Sequence, residues 1–321
     1  TARALAMYGL GDEDVLQVSY GYGLFTGGLG LHYGGEHLGC AVLPTSAGNT
    51  EKQLMLMKDL GTTAIACTPS YFLHVIEVAK KLGIDFRRDT KLRHGIFGAE
   101  PWTDEMRRKI AEESGIVPHD IYGLTEISGP GVAAACPYCD GETPGLHIFE
   151  DHYYPEIIDP ETLEPLPDGE EGELVFTTLD RFGTPMIRYR TRDLTRLHTE
   201  QCKCGRWSYR LTPLVGRKNN MIKLKGTTLY PPAINDVLDN TDYIENYVIE
   251  VHDSEAGTDD VIVKIGLKHT VDFDVVKELK DSFRSRIRVA PQIEIHPVEV
   301  IQKINFPAKS RKPIKFIDLR K

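Results

Sequence analysis

Apolar and polar positions change rhythm three times along the chain, and each rhythm predicts a different kind of structure. Over roughly the first half, short apolar runs at 14–20, 41–44, 63–67 and 92–98 read as buried strands. Between them, 50–60 has helical spacing, with Leu54, Met57 and Leu60 on one face. Residues 71–82 read as a second helix, and Thr103 is placed to cap a third that runs to Glu113. Such strand–helix alternation implies a largely parallel sheet covered by helices, with ligands beyond the carboxyl ends of its strands. Two stretches fall at such ends: Gly98-Ala99-Glu100-Pro101, and Tyr122-Gly123-Leu124-Thr125-Glu126, which is followed by a Gly/Pro-rich loop.

From about Tyr153 the pattern shifts to short strands at 156–159, 172–179 and 186–190. Turn signals such as Pro167-Asp168-Gly169 separate them, as in a small barrel or antiparallel sheet. Near Gly216 it shifts again. Strands at 221–224, 244–251, 261–267 and 293–300, with helices at 232–238 and 273–287, give a β-α-β-β-α-β order. The expected class is therefore mixed, α/β then α+β. A large domain covers 1–215, with a β-rich part from about 153, and a small domain covers 216–321.

Between the first strand and the second, residues 21–30 hold five glycines together with Tyr22 and Phe25, and read as a loop. Either its backbone comes close to something flat, or its aromatics plug the core. The 122–126 stretch packs an aromatic ring, a hydroxyl and a carboxylate into five residues. That set can stack on a heterocycle, touch a phosphate and hold magnesium; equally, it can be an ordinary turn with a solvated Glu.

Composition narrows the classes. With 321 residues, 41% hydrophobic and 26% charged, the chain has the make-up of a soluble globular protein of about two domains. A net charge of −9 argues against a general nucleic-acid binder. No stretch approaches the roughly 20 apolar residues that span a bilayer. The opening Thr1-Ala2-Arg3-Ala4-Leu5-Ala6-Met7 reads as the middle of a helix, without a signal peptide, so a reducing cytoplasm is the expected location. A homodimer is compatible with the sequence.

Six motifs then occur in order: Tyr20-Gly21-Tyr22-Gly23-Leu24-Phe25-Thr26-Gly27-Gly28, Gly98-Ala99-Glu100-Pro101, Tyr122-Gly123-Leu124-Thr125-Glu126, Tyr189-Arg190-Thr191-Arg192-Asp193-Leu194, Gly216-Arg217-Lys218-Asn219-Asn220-Met221-Ile222-Lys223 and Arg311-Lys312-Pro313-Ile314-Lys315. Each alone is ordinary. Together, along essentially the whole chain, they resemble the phenylacetate–CoA ligases of the adenylate-forming enzyme superfamily.

The resemblance implies that superfamily's architecture and a two-step reaction. A carboxylate attacks the α-phosphate of ATP to give an acyl-adenylate and pyrophosphate, and the thiol of CoA then displaces AMP. It assigns Glu126 to Mg2+, Thr125 to the phosphate, and Tyr122 to stacking on adenine, with Gly98, Ala99, Glu100 and Pro101 along its edge and Gly123 beside it. Asp193 matches a ribose-binding aspartate; read alone, it is a surface acid beside Arg190 and Arg192. Arg217 opens the hinge and reaches the nucleotide. Lys312 corresponds to the lysine that steadies the adenylation transition state, and otherwise reads as part of a basic tail. Gly226 and Tyr230 face CoA, while Tyr22, Phe25 and Gly28 line the aryl pocket, for which phenylacetate is the expected acid. Asn219 stands where the family has Asp, and Arg311 where it has Gly. The family's Ser/Thr/Gly-rich phosphate loop is not found ahead of Tyr20, which makes the large domain N-terminally incomplete.

Two cysteine pairs stand apart from this chemistry. Cys136-Pro137-Tyr138-Cys139 and Cys202-Lys203-Cys204-Gly205 form two thiolate knuckles suited to a structural, tetrahedral zinc, with His147 or His198 available to replace one sulfur. The bland alternative is four reduced cysteines in loops; Cys40 and Cys67 read as small core residues. Two other functions stay open: a related ligase acting on another aromatic acid or a carrier-protein acceptor, and a non-catalytic nucleotide- or zinc-binding homologue.

Overall fold

The computed structural model describes every residue except 24, 101, 139–144, 213, 215, 218–219, 221, 225–226, 254–258, 308–312 and 321, and describes the backbone alone at 216–217, 223 and 227–228. Packing divides the chain into two units, 1–102 with 107–214, and 103–106 with 215–321.

In the first unit, β1 (Val15–Val18), β2 (Ala41–Leu43), β3 (Ala64–Cys67), β4 (His94–Gly98) and β5 (Val117–Leu124) are mutually parallel in the order β2-β1-β3-β4-β5. Alternation along β3 shows why the sheet is covered on both faces. Ala64 and Ala66 enter a core with Leu5, Leu16, Leu31 and Ile121. Ile65 and Cys67 enter the opposite one, with Leu54, Phe72, Ile76 and Phe97. The helix Pro69–Lys81 starts on two local signals, a Thr68 side chain accepting from the Tyr71 amide at 3.3 Å and a proline in its first turn.

Beyond β5 the sheet continues antiparallel through β6 (Gly129–Ala134) and β7 (Leu146–Ile148). After β8 (Tyr153–Ile158), β9 (Gly172–Thr178) and β10 (Tyr189–Thr195), which pair antiparallel with one another, β11 (Leu197–His198) and β12 (Arg210–Leu211) return to complete the edge in the order β6-β7-β12-β11. Leu174 and Phe176 of β9 pack with Ile127, Val132 and Ile148, which joins the two sheets through one core.

Three expectations need correction. The glycine-rich 21–30 stretch is a loop only to Phe25; a helix spans Thr26–Leu38. Glycine disfavours helices by about 1 kcal/mol each, yet here close approach decides. A Cβ on Gly28 would lie 2.6 Å from the Gly21 carbonyl oxygen, and one on Gly35 would lie 2.9 Å from Leu16. Thr125–Ile127 form a one-turn 3₁₀ helix, and the segment after it is β6, not a loop, with the tight reversal made at Ser128 and Gly129, both at positive φ. In the second unit, the expected strand 293–300 divides into a strand Gln292–Ile295 and a helix Val298–Asn305. β-Branched Val298 and Val300 suggest a strand, whereas Pro297 ends one and Ile301 and Asn305 bury one helical face.

The second unit's sheet runs Gln292–Ile295, Asp259–Leu267, Ile244–Asp253, Phe316–Asp318. Its edge strand thus comes from the chain's last residues, parallel to Ile244–Asp253. Among the described residues, Ile222–Leu224 pairs with Thr227–Leu229 in a separate two-stranded sheet. Val251, Val263 and Ile265 pack against Ile234, Leu279 and Phe283 from its helices.

Candidate functional site

The carboxyl ends of β1, β3, β4 and β5 lie side by side, because neighbouring strands are parallel and in register. Tyr20, just past β1, ties three of them: its hydroxyl donates to the Cys67 carbonyl at 2.6 Å and the Gly98 carbonyl at 3.2 Å. Burial drives this phenol far above its ordinary pKa, so it acts as a fixed donor. Gly98 permits the approach, since a Cβ there would sit 2.3 Å from the Ile121 carbonyl oxygen. Ala99 follows at φ +67°, in the left-handed region. Glu100 is turned back, its carboxylate accepting from the Ser70 amide at 2.8 Å at the start of the helix Pro69–Lys81.

At the end of β5, Tyr122 donates its hydroxyl to Asp193 at 2.8 Å. The aspartate comes from β10, where a break in the β9–β10 register between Arg190 and Leu194 and a positive φ at Arg192 re-aim the strand. The Thr191 hydroxyl donates to the Leu174 carbonyl at 2.8 Å and accepts from the Asp193 amide at 3.1 Å, fixing the bulge. Asp193 is fully buried. The partly exposed Arg190 makes a two-pronged contact with the buried Glu173 and is raised above its ordinary pKa by it, so a bidentate ion pair braces the bulge.

Thr125 and Glu126 are exposed, on the one-turn helix that follows. The Thr125 hydroxyl lies 3.2 Å from that of Thr26, at the start of the helix Thr26–Leu38. The Arg181 guanidinium donates to the Glu126 main-chain carbonyl. A cavity of about 50 Å³ opens between these elements, lined by Tyr20, Phe25, Thr26, Gly27, Leu31, Gly98, Ala99, Ile121, Gly123 and Thr125, with Gly129 and Pro130 behind. The Phe25 ring lies directly over Gly27, 2.3 Å from where a Cβ would stand.

Residues 13–179 match the AMP-binding enzyme family, and residues 226–320 match the AMP-binding enzyme C-terminal domain. Over 319 residues the chain is 41% identical to the phenylacetate-coenzyme A ligase of Aromatoleum evansii, covering 97% of this chain and 71% of that one. Over 329 residues it is 40% identical to the phenylacetate-coenzyme A ligase of Escherichia coli K12, covering 99% and 72%. The chain belongs to the phenylacetate–CoA ligase family. Its fold is that of solved adenylate-forming ligases. The 2-hydroxyisobutyryl-CoA ligase structure in the postadenylation state, in complex with R3-HIB-AMP, superposes with a TM-score of 0.87 at 24% identity, over 99% of this chain and 68% of that one.

Of the residues this family suggests, Phe25, Gly98, Ala99, Gly123 and Thr125 line the cavity, whereas Tyr122 and Asp193 are paired with each other and are not part of that lining. Tyr22 instead hydrogen-bonds His32 Nδ1 at 3.1 Å, and His32 in turn pairs with Glu36 at 3.3 Å; burial, aided by Glu36, pushes the Tyr22 phenol up to about 12. Gly28 packs on the Gly21 backbone, away from the cavity lining. Tyr230 precedes the helix Pro231–Asp239 in the second unit. Pro101, Cys139, Gly226 and Lys312 lie outside the described residues, as does the side chain of Arg217.

Tyr20, Thr26, Gly27, Leu31 and Arg181 also belong to the site, though the motifs alone give them no role. The first three lie in the glycine-rich motif, and the signal for them was the helix start at Thr26. Once 27 and 31 stand four apart on a helix, they share the face turned to the cavity, and 28 leaves it.

A second constellation sits at the other edge of the same sheet. Ligand-type atoms of Cys136, His147, Cys202 and Cys204 all lie within 4.8 Å of one another. The three cysteines are free thiols, and all but Cys204 of the four residues are buried. His198 is not in this group; its imidazole faces Glu200 at 3.7 Å.

Proposed function

We propose that this chain carries the adenylating and thioester-forming chemistry of a phenylacetate–CoA ligase: ATP-dependent activation of phenylacetate to its acyl-adenylate, then transfer to CoA. The observation that supports it is a cavity lined by Gly98, Ala99, Gly123 and Thr125 at the strand ends, with the Tyr122–Asp193 pair on the adjoining β5 and β10, in a chain that is 40–41% identical to two phenylacetate-coenzyme A ligases across nearly its whole length. Adenylate-forming ligases use ATP, AMP and CoA, which fits a cytoplasmic location.

In this reading the chain's own groups have separable tasks. Asp193, buried and held by Tyr122, accepts from ribose hydroxyls, because one carboxylate can serve two donors. Gly98, Gly123 and Ala99 present bare backbone to the flat base. Thr125, exposed beside Thr26, offers a hydroxyl to the phosphate. Glu126 suits Mg2+, since it is an exposed oxygen donor and that ion is held by one or two carboxylates plus substrate phosphates. The ion would neutralise charge on the phosphates. Lys312, by family position, adds a cation where negative charge develops in the adenylation step. Phe25 sets the depth of the acid pocket. Four protein ligands close the cysteine cluster, so a metal there stands outside the reaction.

The test is pyrophosphate release with ATP and magnesium, on the whole natural protein, across a panel of aryl acids. Release that depends on phenylacetate, with thioester formed only when CoA is added, is the expected result. Release with another acid alone overturns the substrate and keeps the chemistry. Silence across the panel with ATP still bound points to a nucleotide-binding homologue. Lys312→Ala should abolish adenylate formation and leave nucleotide affinity largely intact.

A further inference from the structure

We infer that Cys136, Cys202, Cys204 and the Nε2 atom of His147 form a structural zinc site of three thiolates and one imidazole, in which His147 takes the place expected of Cys139.

The distances carry this. The sulfurs of Cys136 and Cys202 are 3.7 Å apart, and Cys204 Sγ is 3.4 Å from His147 Nε2. A disulfide would bring the sulfurs to about 2.05 Å. Tetrahedral zinc, with bonds of about 2.3 Å to sulfur and about 2.0 Å to nitrogen, sets sulfurs about 3.8 Å apart and sulfur about 3.5 Å from nitrogen. Both observed separations match the coordination edge and not the covalent bond.

The surroundings are those of a built ligand shell. Ser208 Oγ lies 2.8 Å from His147 Nδ1 and fixes the ring so that Nε2 faces the sulfurs. Around Cys202–Cys204 the chain turns as a knuckle: the Gly205 amide donates to the Cys202 carbonyl at 2.8 Å, and the Cys202 amide to the Arg206 carbonyl at 3.0 Å. Gly205 takes φ +85°, which a side chain would strain, and the Arg206 amide and side chain hydrogen-bond the Cys204 sulfur. Zn2+ binding releases the thiol protons to solvent and leaves a complex of one net negative charge, beside Arg206 and Arg210.

The four ligands come from three parts of the sheet edge. Cys136 follows β6, His147 lies on β7 opposite Arg210 of β12, and Cys202 and Cys204 lie in the β11–β12 connection. Strands β11 and β12 have two residues each, so ladder hydrogen bonds hold them weakly. Zinc supplies the missing staple. Soft thiolates with one imidazole in a closed tetrahedron select Zn2+ over Mg2+, and no position is left for water or substrate.

The experiment is metal analysis of the chain purified without an affinity tag that binds metal, followed by cobalt substitution and chelator competition. The expected result is one zinc per chain, with a cobalt form showing thiolate charge-transfer absorption in the near ultraviolet and tetrahedral ligand-field bands in the visible. His147→Cys should keep the metal and shift those bands to the red. Ser208→Ala should weaken metal affinity about tenfold. Cys139→Ser and His198→Ala should leave stoichiometry and spectrum unchanged. Loss of metal in Cys139→Ser with retention in His147→Ala overturns the ligand set. A chain that neither carries zinc nor takes it up, or that carries a redox-active iron centre instead, overturns the site. Because Cys139→Ser, His198→Ala and His147→Cys each keep four ligands in place, the outcome does not depend on variants that fail to fold.

Discussion

The hydroxyl of Tyr122 donates to Asp193 across 2.8 Å, joining the last turn of a parallel strand to a bulge in an antiparallel one, 71 residues later. Tyr122→Phe removes the donor and leaves a buried carboxylate short of a partner. The expected cost is about 1–2 kcal/mol in stability, seen as a lower urea midpoint, together with weaker AMP binding by calorimetry. Asp193→Ala should lose more AMP affinity than Tyr122→Phe, because the ribose contact goes as well. Equal losses would assign the effect to the phenol and remove Asp193 from the ribose.

That pair also shows what the sequence discloses and what it hides. Strand positions in the first unit follow from apolar runs, and the order of the motifs places Tyr122 and Asp193 in one family pattern. Their hydrogen bond could not be foreseen, because a bulge shifts register by an amount that only the partner strand defines. The helix at Thr26–Leu38 was hidden for another reason. Five glycines argue against a helix locally, and the packing that requires them involves Gly21, Leu16, Val42 and Pro130, remote in sequence or on another element. For the cysteines, spacing pointed to a metal, but the choice between His147 and His198 rests on strand pairing: β7 lies beside β12, so His147 meets the Cys202–Cys204 turn.

Gly98 is held between strands so closely that substitution should be severe. Gly98→Ala places a methyl group 2.3 Å from the Ile121 carbonyl oxygen, which belongs to β5 and cannot rotate away. Prising β4 from β5 should cost about 3 kcal/mol or more. Gly11→Ala, where a Cβ meets nothing within 4 Å, is the matched control and should change stability little. If both variants melt alike, β4 and β5 are not as tightly joined as these distances require.

His119 predicts a pH dependence at the amino-terminal side of the sheet. It is buried between the Tyr8 ring, stacked at 4.4 Å, and His94, whose Nδ1 is 3.0 Å from its Nε2. Burial first, then His94 and Arg107, lower its pKa to about 3. The unfolded chain, with histidine near 6.5, binds more protons than the folded one between these values. The stabilisation is therefore complete above about pH 6.5 and falls as the pH drops towards 3, at up to about 1.4 kcal/mol per pH unit. Between pH 7 and 5 this residue should remove about 2 kcal/mol. His119→Phe retains a ring against Tyr8 and should flatten that decline in urea titrations at the two pH values. An unchanged slope would assign the dependence to other groups.

Phe25 is the residue on which acid selectivity should turn. Its ring covers Gly27 and occupies much of the space between Tyr20, Leu31 and Pro130, leaving a cavity of about 50 Å³. Ligand pockets usually enclose about 300 Å³ or more, so the ring must swing aside for an aryl acid, and its size limits which acids can enter. Phe25→Ala removes both the gate and the floor. Relative kcat/KM should then move by about tenfold towards acids with a second ring or a bulky substituent, a range that one hydrophobic contact can supply. Nucleotide affinity should hold, since Asp193 and Tyr122 are untouched. A uniform fall in kcat/KM for every acid would show instead that the ring orders the cavity without choosing among its occupants.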